Sequence, residues 1–173
     1  SSAQEMFDLT VRAFDLAERL RTPVLLLADA AVGHMREIVE IPATVVCTPR
    51  RVATADGNGA PRFLDEQVAP MPLFGHGLKA HVTGSCHDEA GMRNVVDAEA
   101  LDHYVRRLSG KIRHARDDLM DVRSGDTEDA EVILIGWGGV GRAAQAIATR
   151  AREAGQAVGW IRPITVWPFA DTE

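Results

Sequence analysis

AEVILIGWGGVGRAAQAIATRAREAGQAVGWIRP, residues 130–163, decides the fold class. The segment 131–135, apolar after Glu131, reads as a strand, 140–154 as a helix stopped by Gly155, and 157–161 as a second strand. Strand, helix and strand in that order close as a right-handed crossover with parallel strands, so the chain is α/β. Gly136, Gly138 and Gly141 also fall as G-x-G-x-x-G between the strand and the helix. There a dinucleotide's pyrophosphate would meet free backbone amides. That reading needs an acidic residue at the end of the next strand, where this chain has Ile161, Arg162 and Pro163. The competing reading is packing, with glycines letting the helix sit close to the sheet. An NAD(P)-binding, Rossmann-like dehydrogenase domain on residues 136–141 is therefore kept only as an alternative.

Upstream, RTPVLLLADAAVGHMREIVEIP (residues 21–42) has a comparable form. The run 24–28 is apolar on both faces, as in a central parallel strand covered by helices. It ends at Asp29, and a short connection then brings His34, Met35, Arg36 and Glu37 together. Functional groups collect beyond the carboxyl ends of such strands, so Asp29, His34, Arg36 and Glu37 are candidates to bind an anionic substrate or pair across a subunit interface, or they simply cap the next element. Ser2 and Glu5 form a capping box before a helix striped by Met6, Leu9, Ala13, Leu16 and Leu20. The natural preceding strand is absent and the last domain stops early, so a partial chain truncated at both ends is expected. Such a piece should expose apolar surface and self-associate.

Between Pro42 and Gly77 prolines and glycines alternate without period, as in a connection between domains. A short strand is expected over 79–83, followed by the loop GSCHDEAGM, in which His87, Asp88 and Glu89 are further interface or cleft candidates. Asp97 caps a long helix with a seam of Leu101, Val105, Leu108, Ile112, Ala115 and Leu119, which Ser109 and Gly110 can bend. Its basic residues, Arg106, Arg107, Lys111, Arg113, His114 and Arg116, read as a solvated face. A polar hinge is expected over 124–129.

With 173 residues, 46% of them hydrophobic, the chain has material for a real core. Nineteen basic residues against 25 acidic ones give a net charge of −6, which argues against a nucleic-acid partner. Cys47 and Cys86 lie too far apart to form a CxxC unit or to ligate a cluster by themselves. His76, His81 and His87 match no metal-finger spacing, and Ser85, His87 and Asp88 stand too close in sequence to converge as a triad. Neither a catalytic residue nor a metal site is expected within the chain. No run is long enough to cross a bilayer, so a cytoplasmic protein without membrane contact is expected.

FDLTVRAFDLAERLRTPVLLLAD with VGHMRE and IP, then PLFGHGLKAHVTGSCHDEAG, then AEVILIGWGGVGR and RPITVWPF, together resemble the alpha subunit of the 2-oxoacid:ferredoxin oxidoreductases. The likeness is strongest to the 2-oxoglutarate type. It implies that 1–42 is the end of a thiamine-diphosphate pyrimidine-binding domain and 43–96 a connecting segment. The long helix would occupy 97–123, and 124–173 would begin a transketolase C-terminal-like parallel α/β domain. It further implies oxidative decarboxylation of a 2-oxo acid to an acyl-CoA, with electrons passed to ferredoxin. Thiamine diphosphate and Mg2+ would be shared with a beta subunit, iron–sulfur clusters would lie on other subunits, and the piece alone would bind none of them and be inactive. A non-catalytic interaction module docking through the long helix is the remaining alternative.

Overall fold

The structure is a computed structural model that describes residues 1–53, 68–78, 81 and 83–169. Helix α1 spans Ala3–Leu20, α2 Ala30–His34, α3 Ala98–His114 and α4 Arg116–Leu119; strand β1 spans Val122–Gly125, β2 Val132–Ile135, helix α5 Gly138–Glu153 and strand β3 Val158–Pro163. Chain contacts divide it into two compact units. The first comprises residues 1–11, 25–44 and 116–173, and the second 12–24 and 45–115.

In the first unit the expected crossover is present: β2 and β3 pair in parallel, Val132 opposite Val158 through Ile135 opposite Ile161. The sheet order is β1-β3-β2, and β1 joins β3 antiparallel, with Val122 opposite Pro163. The expected hinge at 124–129 thus begins inside an edge strand. Polar residues serve there because only one side of an edge strand is paired. Gly125 is required at that edge, since a Cβ would lie 2.6 Å from the Trp160 indole nitrogen. Arg152, late in α5, donates to the Val158 carbonyl at 2.8 Å, to the Asp126 carbonyl at 2.8 Å and to both Asp129 oxygens at 2.8 Å. One guanidinium fork therefore ties the helix end to the β1–β2 connection.

Residues 24–28 do not form the expected strand. Leu25 is 84% exposed and Leu27 62% exposed. A strand needs a ladder partner for its amides, and none is supplied to this run among the described residues. The capping box is half realised: Glu5 N donates to Ser2 Oγ at 3.1 Å, while the Glu5 side chain turns to other partners.

The second unit is organised along the latter part of α1. Asp15 accepts from Thr48 N at 2.8 Å, Glu18 holds Arg50 by two hydrogen bonds, and Arg21 Nη1 donates to the carbonyls of Ala69 and Pro70 at 2.8 and 3.1 Å. Helix α3 starts as expected, with Asp97 accepting from Glu99 N and Ala100 N at 3.0 and 3.2 Å. It runs through Ser109 and Gly110 and ends at His114, not at Leu119; Ala115 separates it from α4. The expected strand at 79–83 involves Lys79, Ala80 and Val82, which lie outside the described residues.

Candidate functional site

The candidate residues fall into two groups, one in each unit. In the first unit Asp29 precedes α2, and its carboxylate reaches the start of α5, where Gly139 N donates to Oδ2 at 2.7 Å. Trp137, the residue before α5, offers no capping side chain, so Asp29 caps the helix from 110 positions away in sequence. A negative charge there also complements the positive end of the helix dipole. Glu37 does the same for α1, accepting from Ala3 N at 2.8 Å. Nearby, Gln4 exchanges hydrogen bonds with the Glu40 backbone, accepting from N at 2.7 Å and donating to O at 3.2 Å. His34 closes α2 and, like Arg36, is exposed. The four residues after Asp29 do not form one cluster: Glu37 turns to α1, while His34 and Arg36 face outward.

The most heavily buried charge in this unit escaped the sequence reading. Arg162, on β3, is 6% exposed and is hydrogen-bonded and ion-paired to Glu5 on α1; Ser1 Oγ accepts from it at 2.9 Å. Burial pushes the Glu5 carboxyl up, but the hydrogen bond and charge of Arg162 pull it down, below its ordinary value. Arg123 on β1 stands 3.8 Å from the same carboxylate. The only sequence signal was an arginine inside an otherwise apolar strand.

The glycine turn is a packing device. A Cβ on Gly141 would lie 2.5 Å from the Gly136 carbonyl oxygen and 2.8 Å from Arg162 Cγ. Gly138 takes a positive φ of 57°, and a Cβ on Gly139 would lie 2.7 Å from the Asp29 carboxylate. The place where a pyrophosphate would sit is thus held by a protein carboxylate, which removes the basis for the dinucleotide reading.

In the second unit the HDE loop forms a closed turn. Asp88 Oδ1 accepts from Ala90 N and Met92 N, both at 3.0 Å, and Glu89 is exposed. His87 Nδ1 lies 2.7 Å from the Asp88 carbonyl, and its ring meets Tyr104 edge-on with centroids 4.8 Å apart. His87 and Tyr104 both line a cavity of about 260 Å³ whose wall includes Arg21, Arg107 and Lys111. Lys111, expected on the solvated face, is only 6% exposed. Conversely Val105, expected on the buried seam, is 55% exposed. The inward face of α3 carries Tyr104, Leu108 and Lys111, a stripe at the same three- and four-residue spacing but rotated from the seam.

The family models match in chain order. The thiamine-diphosphate-binding model of pyruvate flavodoxin/ferredoxin oxidoreductase covers residues 1–107, and the core domain II model of pyruvate:ferredoxin oxidoreductase covers residues 130–173. The chain belongs to the pyruvate flavodoxin/ferredoxin oxidoreductase family. It is 41% identical to the 2-oxoglutarate synthase subunit KorA of Methanothermobacter marburgensis, over 100% of this chain and 47% of that one. It is 39% identical to the subunit of the same name from Methanocaldococcus jannaschii (99% and 46%), and 31% identical to the ketoisovalerate oxidoreductase subunit VorB of Methanothermobacter thermautotrophicus (98% and 41%). The chain thus spans about half the length of the curated relatives it matches. Its fold matches a solved structure of 2-oxoglutarate:ferredoxin oxidoreductase from Magnetococcus marinus with 2-oxoglutarate, coenzyme A and succinyl-CoA bound. The TM-score is 0.86 at 22% identity, over 98% of this chain and 30% of that one.

Family membership implies thiamine diphosphate, and the described residues do not fit its diphosphate end. The glycine-turn amide that would hold an anion is given to Asp29. Among the described residues, no group of three His, Cys, Asp or Glu is placed to hold a metal ion. Among them, too, no helix is long and apolar enough to cross a membrane.

Proposed function

We propose that the chain is part of the alpha subunit of a thiamine-diphosphate-dependent 2-oxoacid:ferredoxin oxidoreductase, with 2-oxoglutarate as the substrate. In that reading the 2-oxo acid is oxidatively decarboxylated, coenzyme A takes the acyl group, and iron–sulfur clusters on other subunits carry the electrons to ferredoxin. Thiamine diphosphate, when bound, supplies the electron sink for decarboxylation. Its diphosphate and Mg2+ are assigned to a beta subunit. The cytoplasm, where coenzyme A and ferredoxin turn over, is the proposed location.

One observation carries the reading. Segments matched by the two family models meet inside one compact unit, through Arg162 on Glu5 and Gly139 on Asp29. The chain's own part is therefore positional, locking the end of the pyrimidine-binding domain to the start of the next. Asp29 and Glu37 act as helix caps in that lock, and exposed His34 and Arg36 are offered to another subunit. The substrate assignment is supported by identities of 41% and 39% to the two 2-oxoglutarate synthase subunits named above, against 31% to the ketoisovalerate relative.

The test is to co-express the full-length subunit with its beta subunit and follow viologen reduction with 2-oxoglutarate, pyruvate and 3-methyl-2-oxobutanoate. Reduction should require thiamine diphosphate and coenzyme A and be fastest with 2-oxoglutarate. No reduction with any of the three acids would sink the proposal, and a faster rate with another acid would reassign the substrate.

A further inference from the structure

Lysine is rare in this chain: of its 19 basic residues only Lys79 and Lys111 are lysines. The choice has a chemical meaning, because arginine stays charged in any protein setting whereas lysine gives up its proton readily when buried. Lys111, on the inward stripe of α3, is 6% exposed. Its Nζ donates to the Arg21 carbonyl at 3.1 Å, and among the described residues it makes no other hydrogen bond or ion pair. A buried ammonium needs a counter-charge or a full set of acceptors, and one backbone carbonyl is neither. The neutral amine avoids that cost and keeps a lone pair. Burial is accordingly the leading cause that lowers the Lys111 pKa.

The amine also has a space beside it. Lys111 lines the cavity of the second unit, whose apolar wall includes Leu20, Met71, Phe74 and Leu108. About 260 Å³ is below the usual size of a drug-sized pocket, so the cavity suits a small molecule. Leu108 precedes Lys111 by three residues, which puts the amine and part of the apolar wall on one helix face. Desolvation in an apolar pocket is one of the ways a lysine becomes a nucleophile toward carbonyl groups.

We propose that Lys111 captures a small carbonyl compound in this cavity as an imine, with the carbonyl carbon on Nζ and a short apolar tail against Leu20, Leu108 and Phe74. The amine lone pair attacks the carbonyl carbon, and a C–N bond forms. The carbonyl C–O bond then breaks, and its oxygen leaves as water with one Nζ hydrogen and one proton from solvent. The product is a protonated imine, and nothing is oxidised or reduced. His81, which lines the same cavity, is a side chain of the kind that relays such a proton. The shared chemistry is a carbonyl on a short chain, from either a free aldehyde or a 2-oxo acid. The inference goes beyond the oxidoreductase reading, and its readout needs no turnover.

The full-length protein, assembled with its natural subunits, is treated with butanal and separately with 2-oxobutanoate in the presence of cyanoborohydride, without coenzyme A or ferredoxin. Cyanoborohydride reduces an imine to a stable secondary amine, which peptide mass spectrometry reads at Lys111. Labelling should saturate with carbonyl concentration and, for at least one compound, outpace free Nα-acetyllysine about tenfold or more, the gain of a held reactant over a diffusing one. Labelling by butanal alone assigns a free aldehyde, and labelling by 2-oxobutanoate alone assigns a 2-oxo acid. A buried lysine with a purely structural role reacts more slowly than a free amine. Labelling no faster than that of Nα-acetyllysine, or linear in carbonyl concentration, therefore overturns the proposal. Phe74→Ala, outside α3, should raise the half-saturating concentration about twofold or more without slowing labelling at saturation. An unchanged half-saturation overturns the placement of the tail.

Discussion

Residues 131–141 and 24–35 are written alike, an apolar run leading into a glycine-bearing turn, yet they end differently. Val132–Ile135 finds β3 and becomes a ladder strand, and Gly141 is so enclosed that a Cβ would lie 2.5 Å from a backbone oxygen. Leu25 in the other run is 84% exposed, and nothing lies within 4 Å of a Cβ built on Gly33. An apolar run records a capacity for burial; a partner strand turns that capacity into structure. What the second stretch contributes within its unit is charge, through Asp29 on the helix start of the first.

The contrast predicts that damage is severe where burial is complete. Glu5→Ala leaves Arg162 buried with its counter-charge gone, the costly half of breaking a buried pair, roughly 3–5 kcal/mol. The midpoint of urea denaturation should fall accordingly; a midpoint unchanged from wild type would mean that the pair adds nothing. The same pair sets an acid dependence. The folded Glu5 carboxyl is held below its ordinary value beside Arg162. Its stabilisation is therefore fully present above the ordinary value and is lost as pH falls through the folded one. Between those two values Glu5→Gln should lose stability less steeply with acid than the wild type, read by circular dichroism at each pH.

Gly141→Ala tests the enclosed turn. Alanine gains about 1 kcal/mol over glycine in a helix interior, and overpacking against fixed backbone costs about 1–3 kcal/mol. The neighbours are the Gly136 backbone and the Arg162 stem, neither of which yields easily, so the net change should be destabilising. Thermal unfolding that moves upward would show that the turn relaxes.

Residues 130–163 were legible because their partners are local: strand, helix and strand follow one another and satisfy each other's backbone. Asp97 was legible for the same reason, its cap lying two and three residues ahead. What stayed hidden depends on distant chain. Nothing local tells Asp29 that its acceptor role lies at Gly139, or Arg162 that its partner is Glu5. The basic stripe of α3 misled because three- and four-residue spacing fixes the period of a helix and not the direction of its buried face. Tyr104, Leu108 and Lys111 keep the period and change the face. The run 24–28 failed as a strand because two-sided hydrophobicity presupposes neighbours that the described residues do not provide.

Smaller effects separate the two turns further. Asp29→Ala removes the cap of α5 and should cost about 1 kcal/mol, the usual loss at a helix start. Amide exchange at Gly139 should quicken before that of residues later in the helix, and equal changes along α5 would argue against a capping role. Gly33→Ala is the matched opposite of Gly141→Ala. Gly33 sits within α2, its surroundings are open, and its φ is not in the left-handed region. Only the propensity gain then remains, and α2 has just five residues in which to express it. We expect stabilisation of a few tenths of a kcal/mol, up to about 1, in urea denaturation. Destabilisation instead would show that the space beside Gly33 is filled in the assembled protein, and that this turn, like the other, is closed by a partner.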